Sequence, residues 1–574
     1  MKLTDFVAKY LENMGVEVCF MVSGGAVLHL LDSIERNSKI KIVCTQHEQF
    51  AATAADSFSR ISKSSLGLCV ATSGPGATNL VTGISNAFFD SIPMICITGQ
   101  VSKFREKPSK LLRQYGFQET DVLNIFKPIT KYATKISKPE DIKYELGKAF
   151  YLATNGRPGP VLIDLPDDLQ RMQVNQNKLK TFYPDKIDSK EKVNIKKSCE
   201  QVNSLLVESR KPLVVLGSGI RISKSEELIQ RFIEDLNVPF ITTWGAKDLF
   251  PEKHYLNMGT FGVCGPRYSN WAISECDLLI VLGARLNQMQ VGGRIQDFAP
   301  NALKIIVDID KYELNKFKKL GLKIDYTLNF DLNNFLRRIK LKKFNNSKWH
   351  SWLLKIKSEY TIISEHQSEP DEINAYKFVD IISDKAKESD VIFTDAGGNL
   401  CWTMQAFKVN SNQRLISAWN HSPMGFSLAA AIGAAFSSPK MNIHCIIGDG
   451  GLMMCLQELG TLARHNLPIN VFVFNNRGHG IQKQTINTWL NGNQIGVDYK
   501  SGLFFPDFEL IAESFGISYI KIQTIEQASK ILLNNKSPII YDVMINPEQI
   551  IKPMLKFGGN LTNLDDLFSK PDYE

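Results

Sequence analysis

The stretch from Met441 to Asn476 constrains the fold of this chain more than any other. MNIHCIIGD reads as a short buried strand and NVFVFNN as a second. Between them, GGLMMCLQELGTLARHN reads as an amphipathic helix, with Leu452, Leu456, Leu459 and Leu462 near helical spacing. A strand, crossover helix and parallel strand bring both strand ends to one edge of a sheet, where ligands bind in doubly wound folds. Asp449, in Gly448-Asp449-Gly450, and Asn476, in Asn475-Asn476, therefore end at the same edge. Their oxygens suit Mg2+, which prefers an octahedron of oxygens and is usually held by one or two protein side chains plus phosphate and water. Gly448, Gly450 and Gly451 let backbone N–H groups and a helix N-terminus approach a phosphate. Gly-Asp-Gly alone is a common turn after a strand; the downstream Asn-Asn makes it a metal-diphosphate clamp.

The same alternation continues along the chain. At 574 residues the chain is too long for one core, and about three domains are expected. Strand candidates VEVCFMV, IKIVCT, LGLCVAT, IPMICIT and GPVLIDLP place a parallel-sheet α/β domain over residues 1–175. A lysine-rich stretch from Asn175 to Lys197 reads as a linker. KPLVVLGSG, DLLIVLGAR and LKIIVDID define a second unit over 190–342. After a charged, low-pattern connection at about 341–372, a third unit spans 372–548 and a Gly-, Asn-, Asp- and Pro-rich tail spans 549–574. The expected class is α/β, with three doubly wound parallel sheets.

Composition excludes several roles. The net charge of +8 lies in lysine-rich runs without interleaved aromatics, which reads as solvated surface and not a nucleic-acid site. Ten scattered cysteines with no Cys-x-x-Cys pair read as reduced core residues of a cytoplasmic protein. The N-terminal MKLTDFVAKYLENMG has the period of an amphipathic helix and carries acidic residues, unlike a signal peptide. No apolar run approaches the ~20 residues of a membrane span.

Taken with its context, the GDG and Asn-Asn pair resembles the signature of the thiamine diphosphate-dependent decarboxylases and carboligases. The resemblance covers nearly the whole chain and is strongest to the acetohydroxyacid synthase group. It rests on SGGAVLHLLD, HEQFAATAADSFSR, ATSGPGATNLVTGI, ITGQV, FQETDV, GRPGPVLIDLP, ECDLLIVLGAR and MGFSLAAAIGAAF in shared order. The resemblance implies pyrimidine-binding, central FAD-type and diphosphate-binding domains. It also implies thiamine diphosphate, Mg2+ and FAD as cofactors, and a homodimer or homotetramer with active sites between chains.

Residue by residue, the resemblance makes Glu48 the group that hydrogen-bonds the cofactor's aminopyrimidine ring and drives its activation. Its place after an apolar strand reads as a buried carboxylate with a pKa raised by desolvation. Gln118 positions the reacting group. Gly25, Gly398, Asn399, Ser422, Met424, Gly448, Gly450, Gly451, Asn476 and Gly478 are assigned to thiamine diphosphate, with Met424 as the prop beneath the bent cofactor. The metal falls to Asp449, Asn476 and the backbone oxygen of Gly478. Arg157, Gly217, Gly219, Gly259, Gly262, Gly283, Arg285 and Asp308 match FAD-holding positions; the alternative is a central unit that has lost its nucleotide.

The pattern departs from the group where an acceptor would bind. The arginine that recognises a second 2-ketoacid aligns with Met289, the tryptophan after the Asn-Asn segment with Thr485, and a lysine with Asp167. Charged hydrogen bonds contribute roughly 1.5–3 kcal/mol each, so loss of a bidentate clamp disfavours a carboxylate acceptor. With Phe117, His29, His421 and His479, these positions describe a wider, more polar pocket. The pattern is similar to FAD-containing enzymes that transfer an acetyl unit from pyruvate to a nucleotide-linked keto-deoxysugar, as in yersiniose-type O-antigen biosynthesis. The rival readings are an acetolactate synthase catalytic subunit, a pyruvate decarboxylase or oxidase, and a catalytically silent cofactor-binding homologue.

Overall fold

The computed structural model describes residues 1–573 except 63, 185–190, 341, 364–372, 439, 534–535, 557, 563 and 565–567, and the side chains of 191–194 are also left aside. Three six-stranded sheets carry the fold, and every strand pair within them is parallel. The first holds β1 (Val18–Met21), β2 (Lys41–Cys44), β3 (Gly67–Ala71), β4 (Met94–Gln100), β5 (Tyr132–Lys135) and β6 (Pro160–Pro166), in the order β2-β1-β3-β4-β6-β5. Each named strand candidate lies here; β5 is additional, an edge strand with four half-buried residues and no apolar run to mark it.

The second sheet holds β7 (Pro212–Leu216), β8 (Phe240–Thr242), β9 (Asn257–Thr260), β10 (Leu278–Leu282), β11 (Leu303–Asp308) and β12 (Tyr326–Asn329), ordered β12-β11-β10-β7-β8-β9. Read from the other end, that is the strand order of dinucleotide-binding folds, with the reversal between β7 and β10. The third holds β13 (Val391–Thr394), β14 (Arg414–Ile416), β15 (Ile443–Gly448), β16 (Ile469–Asn475), β17 (Ser518–Ile522) and β18 (Ile539–Met544), ordered β14-β13-β15-β16-β18-β17. The first and third sheets thus share one topology, and their central strands are buried throughout and largely apolar because helices cover both faces.

Three expectations change. The linker reading of 175–197 overran a helix, Glu191–Glu208, in which Ile195, Cys199, Val202 and Leu206 are buried at helical spacing among the lysines. Residues 341–372 likewise contain the helix Ser347–Glu359, whose Trp349, Trp352, Leu353 and Ile356 face the middle core. The single crossover helix expected after Gly448 is two, Asp449–Cys455 and Glu458–Arg464, because Leu459 and Gly460 donate to Leu456 and Gln457 three residues back and tighten the turn between them. All ten cysteines are free thiols and all but Cys44 are buried. Among the described residues no helix is long and apolar enough to cross a membrane.

The first and third units meet along two small-residue helices, Glu48–Ile61 and Phe426–Ser437. A Cβ on Gly433 would lie 2.1 Å from the carbonyl oxygen of Ala54, so glycine sets how closely the two backbones approach. Beside this contact Arg60 is buried between Asp56 and Asp90, at 2.7 and 2.8 Å, and donates to the Ser417 carbonyl. Asp90 in turn accepts from the backbone N–H of Trp419 and the amide of Asn420.

Candidate active site

Each sheet reverses its strand order beside its first strand, and many of the residues singled out by the sequence lie at the carboxyl ends of the strands near that reversal. In the first sheet that point lies between β1 and β3. Ala26 N–H donates to Thr72 Oγ1, tying the two strand ends together. A Cβ on Gly24 would lie 2.5 Å from Thr72, whereas one on Gly25 would meet nothing, so Gly25 faces open space. Glu48 begins the helix after β2; its Oε2 accepts from Asn79 Nδ2 at 2.9 Å, and its Oε1 lies 3.3 Å from where a Gly76 Cβ would sit. Gln118 packs on Gly74 in a left-handed conformation with φ 62°. Glu48, Gly25 and Gln118 therefore line one edge. The expected burial of Glu48 is not met within the single chain: it is half-buried, because this helix start opens to the sheet edge.

The complementary half lies between β13 and β15. Helices start at Gly398 and Asp449 directly after these neighbouring strands, so two helix N-termini converge. The Asn399 Oδ1 atom lies 3.4 Å from the positions a Cβ would take on both Gly397 and Gly448, and its Nδ2 donates to the Asp395 carbonyl. Asp449 is buried; its Oδ1 accepts from Gly450 N–H and its Oδ2 from Gly478 N–H. Burial pushes its carboxyl up to about 7 despite those bonds, and the nearby Asp542 adds to the rise. No cation offsets this burial among the described residues, which fits a carboxylate built for a metal ion.

Asn476 directly follows β16 on the same edge and is buried, with its Nδ2 2.5 Å from where a Gly480 Cβ would sit. A Cβ on Gly450 would strike the His479 ring at 2.6 Å and Met424 Cε at 3.2 Å, so the structure brings Met424, His479 and the Gly-Asp-Gly turn together. Ser422 and Arg477, on the turns flanking Met424 and Gly478, are left-handed at φ 52° and 53°, conformations that cluster at ligand sites.

Reasoning from the sequence missed two buried carboxylates here. Asp395, at the end of β13, accepts from Gly425 N–H and Ser427 N–H, fixing the turn that carries Met424; burial raises it to about 6. Glu458 bridges to the turn before Glu48. An acidic residue directly after an apolar strand is the signal that Asp395 gave. Glu458 gave none beyond its place in an amphipathic helix.

In the middle unit, Gly217, Gly219 and Gly283 pack on one another: a Gly217 Cβ would lie 2.0 Å from the Gly283 oxygen. These glycines close the β7–β10 reversal, and Gly259 and Gly262 are left-handed turns against Tyr268 and Met289. A shallow cleft opens there, lined by Ser218, Thr243, Ala284, Arg285, Met289 and Trp419 among others. Arg157 donates to Asp310 and Glu313, and Arg285 to Glu313, so the two guanidinium groups share one carboxylate. Asp308 ends β11, and burial raises it to about 6.

The residues assigned to the acceptor fall in separate places within one chain. Met289, 43% exposed, borders the middle cleft. The His421 ring lies tilted against Phe89, with centroids 5.4 Å apart. His479 and the half-buried Thr485 lie at or on the helix Gly480–Trp489, and burial lowers the His479 pKa. Phe117 is 86% exposed on the Gln118 loop, His29 is half-buried, and Asp167 is held by Ser102 and Arg171.

Comparison with known proteins accounts for this plan. Residues 1–125, 199–339 and 395–543 match, in turn, the N-terminal TPP binding domain, the central domain and the C-terminal TPP binding domain of thiamine pyrophosphate enzymes. The chain belongs to this family of thiamine diphosphate-dependent enzymes, in its acetohydroxyacid synthase-like branch. It is 36% identical to a probable acetolactate synthase large subunit of Methanocaldococcus jannaschii, over 98% of this chain and 95% of that protein. Against the acetolactate synthase large subunit of Lactococcus lactis the identity is 32% over 97% and 94%. Against acetolactate synthase 2, chloroplastic, of Zea mays it is 33% over 97% and 88%.

Proposed function

We propose that this enzyme decarboxylates pyruvate and joins the remaining two-carbon unit to the carbonyl group of a second substrate. One observation carries the reading: the first and third sheets have the same strand order and place Glu48 and the Asp449–Asn476 pair at equivalent carboxyl edges. Bound thiamine diphosphate supplies the electron sink for decarboxylation. Asp449, Asn476 and the Gly478 carbonyl would hold Mg2+, and the helix starts at Gly398 and Asp449 would hold the diphosphate. Glu48 would exchange a proton with the aminopyrimidine, Met424 would support the ring, and Gln118 would orient the substrate. Because the two half-sites lie on separate units, our reading is that Glu48 completes the clamp of a second copy, in a homodimer or homotetramer.

The middle sheet supports FAD as a bound dinucleotide: its order is that of dinucleotide-binding folds and its cleft lies at the reversal. Arg157, Arg285 and Asp308 would contact it. Purified protein should then be yellow, and a colourless, fully active preparation would refute this assignment.

The relatives' names make a second pyruvate the first acceptor to consider, with acetolactate as product. A second reading is favoured by Met289, which occupies the cleft wall in place of an arginine, together with the small Thr485. A neutral ketone such as a nucleotide-linked keto-deoxysugar suits the loss of a cationic partner at Met289 better than a carboxylate does. Purified enzyme with pyruvate, thiamine diphosphate and Mg2+ should be offered 2-ketoacids and nucleotide-linked 4-ketosugars in parallel. Efficient acetolactate formation with no sugar product would sink the sugar reading. Loss of pyruvate in neither arm would sink the carboligase reading.

A further inference from the structure

We infer that Glu458 is a positioning residue for Glu48, acting from the third unit of the same chain; this rests on the role given to Glu48 above. Glu458 opens the helix Glu458–Arg464 and is fully buried. Its Oε1 accepts from Gln46 N–H at 2.9 Å and from His47 N–H at 3.1 Å, and its Oε2 accepts from Thr461 Oγ1 at 2.7 Å. Gln46 and His47 form the turn between β2 and the helix that Glu48 begins. N–H groups at a helix start lack partners within the helix and need outside acceptors. Here His47 Nδ1 takes the Gln49 N–H, while a carboxylate more than 400 residues away takes those of Gln46 and His47.

A carboxylate is a stronger acceptor for backbone N–H groups than a neutral oxygen, and burial strengthens the bonds further. The turn is therefore fixed against the third unit. Glu48 inherits that fixed origin, and Asn79 then holds its Oε2, leaving Oε1 beside Gly76. Glu458 also sits nine residues after Asp449 on the β15–β16 crossover. One crossover thus carries a ligand of the chain's own clamp and the anchor of a glutamate that, on the dimer reading, serves the other clamp.

The test uses the full-length enzyme loaded with thiamine diphosphate and Mg2+. Exchange of the cofactor's thiazolium C2 proton for deuterium, followed by acid quench and NMR, reports Glu48-dependent activation before any substrate binds. Glu458→Ala should slow exchange about tenfold or more, while the half-saturating cofactor concentration moves less than about threefold. Glu458→Asp keeps the charge but withdraws the oxygens by one methylene and should also slow exchange. Glu458→Gln keeps an acceptor oxygen in place and should restore it to within about threefold of the native rate. The Asp and Gln variants decide the matter if Glu458→Ala fails to fold. Native exchange in Glu458→Asp would overturn the inference, as would an equal loss of exchange and cofactor affinity in both. Glu48→Gln is the control: if it exchanges normally, the role of Glu48 itself is wrong, whereas abolished exchange there with normal Glu458 variants refutes only the positioning role.

Discussion

Gly433→Ala sets two well-measured effects against each other. In an exposed helix the change would stabilise by about 1 kcal/mol, because alanine is the better helix former. Here the added Cβ would stand 2.1 Å from the Ala54 carbonyl oxygen, and 2.7 Å from the carbon that bears it. That is about 1.2 Å inside an ordinary carbon–oxygen contact of ~3.3 Å. The obstacle is backbone, so no rotamer change relieves it; the helices Glu48–Ile61 and Phe426–Ser437 must separate. Overpacking of this kind costs about 1–3 kcal/mol, which exceeds the propensity gain. The thermal midpoint of the third-unit transition should fall by roughly 2–4 °C per kcal/mol lost. Since the displaced helix begins at Glu48, C2–H exchange should slow as well. Ala54→Gly should not rescue either defect, because it removes a methyl group and leaves the carbonyl. A midpoint raised by Gly433→Ala, or rescue by Ala54→Gly, would refute the close-approach argument.

Three further outcomes are expected. Arg60→Met leaves Asp56 and Asp90 buried without their cation and should destabilise by about 3–5 kcal/mol, measured by denaturant unfolding; a loss below about 1 kcal/mol would show that the network relaxes. Burial pushes Asp164 up to about 7 despite bonds from Thr98 and Gln100, so the stability it contributes is full below about pH 4 and is lost as pH rises through 7. Native protein should therefore lose more stability than Asp164→Asn between pH 5 and about 8. Met289→Arg with Thr485→Trp should shift acceptor use toward pyruvate in a competition assay, and an unchanged product ratio would mean that the pocket lies elsewhere.

Much of the candidate site is legible in the sequence. Asp449 and Asn476 follow apolar strands joined by a crossover, and parallel connections have one hand, so their shared edge follows from chain order alone. The glycines were legible as positions but not as roles. Gly217 and Gly283 read as nucleotide contacts, and the structure adds that they let two backbones approach closely. The helices Glu191–Glu208 and Ser347–Glu359 were hidden because polar and charged residues outnumber the apolar ones, which nevertheless keep helical spacing.

The sequence by itself determined the three α/β units and the residues proposed for a metal-diphosphate clamp, since strand period, crossover length and the Gly-Asp-Gly to Asn-Asn spacing are local properties. Only the tertiary structure decided that the first and third sheets share one strand order, that the middle sheet has the dinucleotide order, and that Glu458 reaches the turn before Glu48. Such facts depend on which strands become neighbours and on contacts across hundreds of residues, where no local periodicity leaves a trace. The buried Arg60–Asp56–Asp90 cluster belongs with them, because a charge shows its worth only once its surroundings have excluded water.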